Sequence, residues 1–278
     1  LACLPAAAAS GADLLVHPLF QDNAVIQRSA ATRISGTAEP GAPVNVKLGG
    51  AQSRTAADAS GRWSVELDTR RMGVKPLVLS VQSNKDVRTH ENILVGQVFV
   101  ASGQSNMEMT VGPCRFSKGD LHAEETAAEA AKHPRIRLLT VRQIRADKER
   151  TEFSERWIMP DRDSVLAFSA VGYYFAKDLS RALKEPVGIV HSSLGATDIE
   201  EWMSPSALEQ GGFKKIGNGK DSTLFHGMIA PLKGLTLAGV IWYQGEANAF
   251  RNPDQYKSLF PAMIADWRAF FGKPDLPF

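Results

Sequence analysis

The stretch ILVGQVFVAS (residues 93–102), running straight into GQSNM (residues 103–107), decides the architecture. It is nearly continuously apolar, as a strand covered on both faces must be, and it ends in a small polar loop that begins with a glycine. Two later segments repeat the arrangement. VGIVHSS (187–193) leads into LGATD (194–198), and GVIWY (239–243) leads into QGEAN (244–248). Helical patterns lie between and after them. DLHAEETAAEAAK (120–132) carries its acids in its first half, which suits the positive end of a helix dipole. SAVGYYFAKDLSRALK (169–184) has Ser169 as an N-cap and an apolar stripe of Val171, Tyr174, Phe175, Leu179 and Leu183. PDQYKSLFPAMIADWRAFF (253–271) closes the chain as a third helix. Alternating helices and buried strands predict an α/β fold with a mainly parallel sheet.

Upstream the texture is different. Val44, Val46 and Leu48 alternate with Asn45 and Lys47, the period-2 signature of a half-buried strand, and Pro40-Gly41 and Ser60-Gly61 supply turns. The expected organisation is therefore a small β-sandwich over residues 13–92 and an α/β unit over 93–278. Residues 1–12 form a signal-peptide remnant or an alanine-rich arm. LACLPAAAAS reads as the tail of a secretory signal, which predicts an exported protein, periplasmic or extracellular.

Composition removes several function classes. An apolar fraction of 44% with 22% charged residues is globular, and 278 residues provide an ample core. The net charge is only +2, and the basic run from Arg135 to Arg150 starts as the strand-like RIRLLTV and also contains Asp147 and Glu149. A solvated sheet edge explains it, and no nucleic-acid partner is expected. No run reaches the roughly 20 apolar residues of a membrane span. The two cysteines, Cys3 in the leader and Cys114, supply neither a disulfide framework nor a zinc cluster, so no metal site is expected.

In an open α/β sheet, ligands bind beyond the carboxyl ends of the strands. If the three strands are parallel neighbours, Ser105, Gly195 and the loop from Gln244 to Asn248 converge. Ser105, two residues past Gly103, is a candidate nucleophile on a sharp turn; the alternative is a plain turn serine. Gly195 can offer an unobstructed N–H to a developing oxyanion, or it can simply make a tight turn. The amides of Gln244 and Asn248 can donate hydrogen bonds without adding charge, as an oxyanion site requires, or they can satisfy loop backbone. Glu246 reads as a loop-fixing carboxylate, His191 as a core residue, and His226 as the remaining histidine near the sheet. None of them is an evident general base for Ser105.

VFVASGQSNMEM, FSAVGYYFAKDL, PVGIVHSSLGATDIEEWMS, HGMIAPLKG and GVIWYQGEANA together resemble the sialate O-acetylesterase-like branch of the SGNH hydrolases, from about Val95 to Phe278. The resemblance implies a three-layer α/β/α sandwich and hydrolysis of O-acetyl esters on sugars, with no metal or organic cofactor. Carried over by position, it makes Ser105 the nucleophile, with Ser105, Gly195 and Gln244 forming the oxyanion hole. Asn248 becomes the substitute amide, and Trp202 a residue that supports a sugar ring or packs. The chain reads Gly195-Ala196-Thr197 where relatives commonly have Gly-Gly-Thr. The family's Asp-x-x-His block is expected in a C-terminal segment beyond Phe278. Two rivals remain: a non-catalytic sugar-binding protein, and a glycosidase using carboxylates such as Asp198, Glu200 or Glu246.

Overall fold

The computed structural model describes residues 13–213 and 219–278, so the alanine-rich stretch with Cys3, read above as a signal remnant, lies outside the described residues. Eight strands precede the first α-helix: β1 (Leu15–Val16), β2 (Val25–Gln27), β3 (Thr32–Thr37), β4 (Pro43–Leu48), β5 (Ala51–Ala56), β6 (Arg62–Leu67), β7 (Leu77–Ser83) and β8 (Asp86–Gly103). Three more strands, β9 (Ile136–Thr140), β10 (Val187–Ser193) and β11 (Gly239–Tyr243), are interspersed with helices. The helices are α1 (Ser105–Glu108), α2 (Ala123–Ala128), α3 (Arg162–Leu166), α4 (Ala170–Leu183), α5 (Pro205–Gln210), α6 (Glu246–Arg251) and α7 (Pro253–Phe271). The fold is mixed α/β.

β1, β3 and β6 form one antiparallel sheet. The larger sheet runs β5-β4-β7-β8-β10-β9, and β11 and β2 also pair with β8. Its β5-β4-β7-β8 side is antiparallel, whereas β8, β9, β10 and β11 are mutually parallel. The alternation read in β4 is realised: Val44, Val46 and Leu48 are buried, while Pro43 and Lys47 are exposed.

β8 belongs to both halves of this sheet. It extends through Asn92, which adopts a left-handed φ of 57°, and its register with β7 shifts at that point. Side-chain amides tie the two parts together. Gln27 on β2 accepts from the Val98 N–H at 2.8 Å and donates to Gln97, which donates in turn to Glu185.

β10 is buried along its whole length. Val187 and Ile189 pack in one apolar group with Tyr173 and Ala176 of α4; Val190 packs in another with Leu259, Met263 and Trp267 of α7. Successive strand side chains point to opposite faces, which explains the division. Ser169 caps α4 as expected, accepting from the Gly172 N–H at 3.1 Å. The deeply buried face of α4 is Gly172, Tyr173 and Ala176, and Leu183 is exposed. Small residues decide this, because a Cβ on Gly172 would already lie 3.3 Å from Ile189.

The basic run begins at β9, the edge of the large sheet. Arg137 is buried there, donating to the carbonyls of Pro134 and Ile136 and to Asn92, and burial lowers its pKa to about 10. Among the described residues, no helix is long and apolar enough to cross a membrane.

Candidate active site

The three strands that the sequence singles out end at one level. In the parallel register Gly103 stands opposite Ser193 of β10 on one side and Tyr243 of β11 on the other. The chain leaves all three together: the Leu194 N–H donates to Gly103 O, and the Gln104 N–H donates to Tyr243 O. Gly103 has a φ of 137°, and a Cβ on it would meet Tyr243 O at 2.0 Å. Only glycine satisfies both constraints, so the first residue of GQSN is dictated by backbone approach. The next residues close the single turn α1, which carries Ser105 half-exposed at its start. Among the described residues nothing hydrogen-bonds the Ser105 Oγ.

The other expected residues sit around this turn in an amide network. Asn248, fully buried, accepts from the Ile199 N–H at 2.9 Å and donates to Glu200 Oε2 at 2.8 Å. That fixes its amide orientation and directs Gln244 Nε2 at Asn248 Oδ1, 2.7 Å away. The same nitrogen donates to Thr197 O at 3.0 Å and lies 3.4 Å from Gln104 Oε1. Gln244 Nε2 thus rests on protein acceptors, and among the described residues its Oε1 is buried without a partner. Asn248 has no exposed surface with which to touch a substrate. Trp202 is also completely buried; its indole donates to Thr197 Oγ1 at 3.0 Å and packs edge-on against Trp242. Of the two roles considered for Trp202, packing is the one this geometry supplies.

Gly195 donates its N–H to Glu108 Oε2 at 2.5 Å, from the same turn as Ser105. Glu108 Oε1 accepts from Gln143 Nε2, which also donates to Ser193 O, and the Arg115 guanidinium stands 3.7 Å away. Next to Ser105, Asn106 donates to Glu246 Oε1, while Glu246 Oε2 is buried and has no partner among the described residues. Glu108, Gln104, Asn106 and Gln143 were not singled out from sequence. For Glu108 a signal existed: it lies three residues after Ser105, where a single helical turn stacks side chains.

The carboxylates considered for a glycosidase each have one oxygen engaged, while Asp198 Oδ1, Glu200 Oε1 and Glu246 Oε2 are buried without a partner among the described residues. Asp198 pairs with Arg251, Glu200 holds Asn248, and Glu246 holds Asn106. Burial pushes the Glu200 and Glu201 carboxyls up, although Arg145 pairs with Glu201. His191 lies within β10, bonded to Ser193 Oγ at 2.6 Å, and desolvation lowers its pKa to about 4. His226 lines a cavity of about 690 Å³ with Asp147, Glu200 and Asp221. No histidine among the described residues is hydrogen-bonded to Ser105, and no group of three or more His, Cys, Asp or Glu there could hold a metal ion.

A half-exposed serine beyond the carboxyl ends of three parallel strands defines an α/β protein with a strand-end site. Residues 95–278 match the family described as carbohydrate esterase, sialic acid-specific acetylesterase, and the chain belongs to that family. It is 34% identical to the sialate O-acetylesterase of Homo sapiens over 91% of this chain and 52% of that protein. It is 31% identical to the Mus musculus sialate O-acetylesterase over 86% of this chain and 52% of that one. The chain therefore spans about half the length of the curated relatives it matches. Its structure superposes on a carbohydrate acetylesterase from Xanthomonas citri with a TM-score of 0.83 and 33% identity, covering 95% of this chain and 59% of that one.

Proposed function

We propose that the protein containing this chain removes O-acetyl groups from acetylated carbohydrate, either plant-wall polysaccharide or sialic acid, through an acetyl-Ser105 intermediate. The observation that carries the reading is the level ending of β8, β10 and β11, which gathers Ser105, Gly195 and Gln244 at one place in a chain of this family. Ser105 Oγ attacks the acetyl carbonyl while a base takes its proton. The tetrahedral intermediate collapses, the sugar oxygen leaves with that proton, and water then releases acetate from Ser105.

The oxyanion draws on the N–H groups of Ser105 and Gly195 and on the Gln244 amide. The latter two already serve Glu108, and Thr197 and Asn248, so they reach the oxyanion as shared, three-centre bonds. The base and its orienting acid are supplied by a C-terminal Asp-x-x-His segment of the same protein. In this reading residues 93–278 form the hydrolase unit, an α/β/α sandwich, and residues 13–92 a small β-sandwich unit. The packing of Ile189 towards α4 and of Val190 towards α7 supports helical layers on both faces. The alanine-rich leader supports export, and the chemistry requires no metal or organic cofactor.

Ser105→Ala in the full-length protein tests the proposal. It abolishes acetate release from an activated acetyl ester without unfolding the protein, and a fluorophosphonate labels Ser105 in the wild type. Substantial residual turnover in the folded variant, or labelling elsewhere with Ser105 untouched, removes Ser105 from the mechanism.

A further inference from the structure

We propose that Glu108 is a positioning residue of this site: its carboxylate ties the loop after β10, and with it the Gly195 peptide, to the turn that carries Ser105. The inference rests on the acyl-Ser105 reading and adds a residue to it. One carboxylate joins three strand-end segments. It belongs to α1, directly after β8; Oε2 accepts from the Gly195 N–H after β10; and Oε1 accepts from Gln143 after β9.

Gln143 closes the arrangement by donating to Ser193 O, the last residue of β10. The Glu108 side chain is only 17% exposed; two hydrogen-bond donors hold its carboxylate, and the Arg115 guanidinium flanks it at 3.7 Å. A hydrogen bond to a charged group in such a place is stronger than a neutral one. Gly195 is pinned from a second direction, since a Cβ on it would lie 2.4 Å from the Phe116 ring and 3.0 Å from Glu108 Oε2. The height of the Gly195 peptide above Ser105 is therefore set by the length of the Glu108 side chain. Ser105 and Glu108 lie three residues apart in one turn, and the Met109 N–H closes that turn on Ser105 O.

The test compares Glu108→Ala with Glu108→Gln in the full-length protein. A misplacement on the order of 1 Å at a reacting centre can lower turnover by about 100-fold, so Glu108→Ala lowers kcat by about that factor while KM changes little. Glutamine keeps an oxygen for the Gly195 N–H and recovers kcat to within about 10-fold of wild type, since only one acceptor of the clamp becomes a donor. Amide exchange over residues 194–197 reads the clamp without turnover: it accelerates in Glu108→Ala and stays slow in Glu108→Gln. Glu108→Ala with a wild-type or higher kcat overturns the inference, and a higher value would make the carboxylate a competitor for the oxyanion's donor. A loss confined to KM, or a glutamine variant no better than alanine, overturns it as well. Acetate release that survives Ser105→Ala sinks the acyl-serine reading and the clamp's catalytic role with it, whereas a fully active Glu108→Ala sinks the clamp alone.

Discussion

The Cα of Gly103 faces the carbonyl of Tyr243 so closely that a Cβ would sit 2.0 Å from the oxygen, on a residue whose φ is 137°. Neither partner can retreat, because both close pairs of the parallel ladder that sets the level of the site. Gly103→Ala is expected to destabilise the protein by about 4 kcal/mol or more, the range reserved for a clash compounded by backbone strain. Gly245→Ala is the control. Its φ is 140°, but the nearest atom to a Cβ is Tyr256 Oη at 3.4 Å, so strain alone acts and the loss is about 1–3 kcal/mol. Urea titrations of the two variants compare them; equal losses would show that the Tyr243 contact is unimportant.

Ala196, exposed between half-buried Gly195 and buried Thr197, carries a left-handed φ of 60°. An L-residue in that region is destabilised by roughly 1–2 kcal/mol, and glycine escapes this while losing about 0.5–1 kcal/mol to backbone entropy. Ala196→Gly is therefore expected to stabilise the protein by up to about 1.5 kcal/mol. A lower denaturation midpoint in the variant would mean that the methyl group makes a contact worth more than the strain.

Much of this organisation was legible in the chain. VGIVHSS is a strand and 253–271 a helix, each over its full length, because continuous apolar runs and a long periodic stretch are the strongest local signals. The side-by-side placement of the three strand ends was readable only as a condition, since periodicity does not say which strands are neighbours. What could not be read was the use made of polar side chains. Gln244, Asn248 and Glu108 carry the same letters whether they face a ligand or one another, and the choice is made by backbone groups such as Thr197 O and the Ile199 N–H, which no sequence pattern marks. The stripe of α4 was legible in part: Val171, Tyr174, Phe175 and Leu179 pack half-buried against the core and Leu183 is exposed, while the deepest contact falls to Gly172, Tyr173 and Ala176, where small residues permit the closest approach.

Substitutions of Asn248 and Gln244 test which amide is structural and which catalytic. Asn248→Ala leaves the Ile199 N–H and the buried Glu200 Oε2 without that partner, at about 1–3 kcal/mol each. A stability loss of roughly 3–5 kcal/mol is expected, and activity falls with the folded fraction. Gln244→Ala removes one donor from Asn248 Oδ1 but leaves the Asn248 bonds to the Ile199 N–H and Glu200 in place. It is expected to lower kcat by about 100-fold with a smaller loss of stability, as when one oxyanion donor is removed. Paired measurements of kcat and denaturant midpoint decide: a Gln244→Ala variant with normal kcat would leave the amide a structural role only.

Acid stability tests the buried histidines. Desolvation lowers the pKa of His191 from 6.5 to about 4, and that of His17, stacked on Phe153, to about 4 as well. Between these values the unfolded chain binds protons that the folded chain refuses, so stability rises with pH across the window. The contribution is fully present above about pH 6.5 and is lost as the pH falls towards 4, with a slope of up to about 1.4 kcal/mol per pH unit for each fully excluded proton. Glu200, Glu201 and Asp266 are pushed up by burial and act with the opposite sign, since acid protonates them in the folded state first. The net slope therefore mixes both groups, and a difference isolates one histidine. His191→Leu lowers stability at every pH, because Ser193 Oγ loses its 2.6 Å partner, but it also flattens the dependence between pH 6.5 and 4 by close to one proton. Urea unfolding of wild type and variant across that range supplies both quantities. Parallel curves, shifted in level but equal in slope, would mean that His191 takes up its proton inside the folded strand.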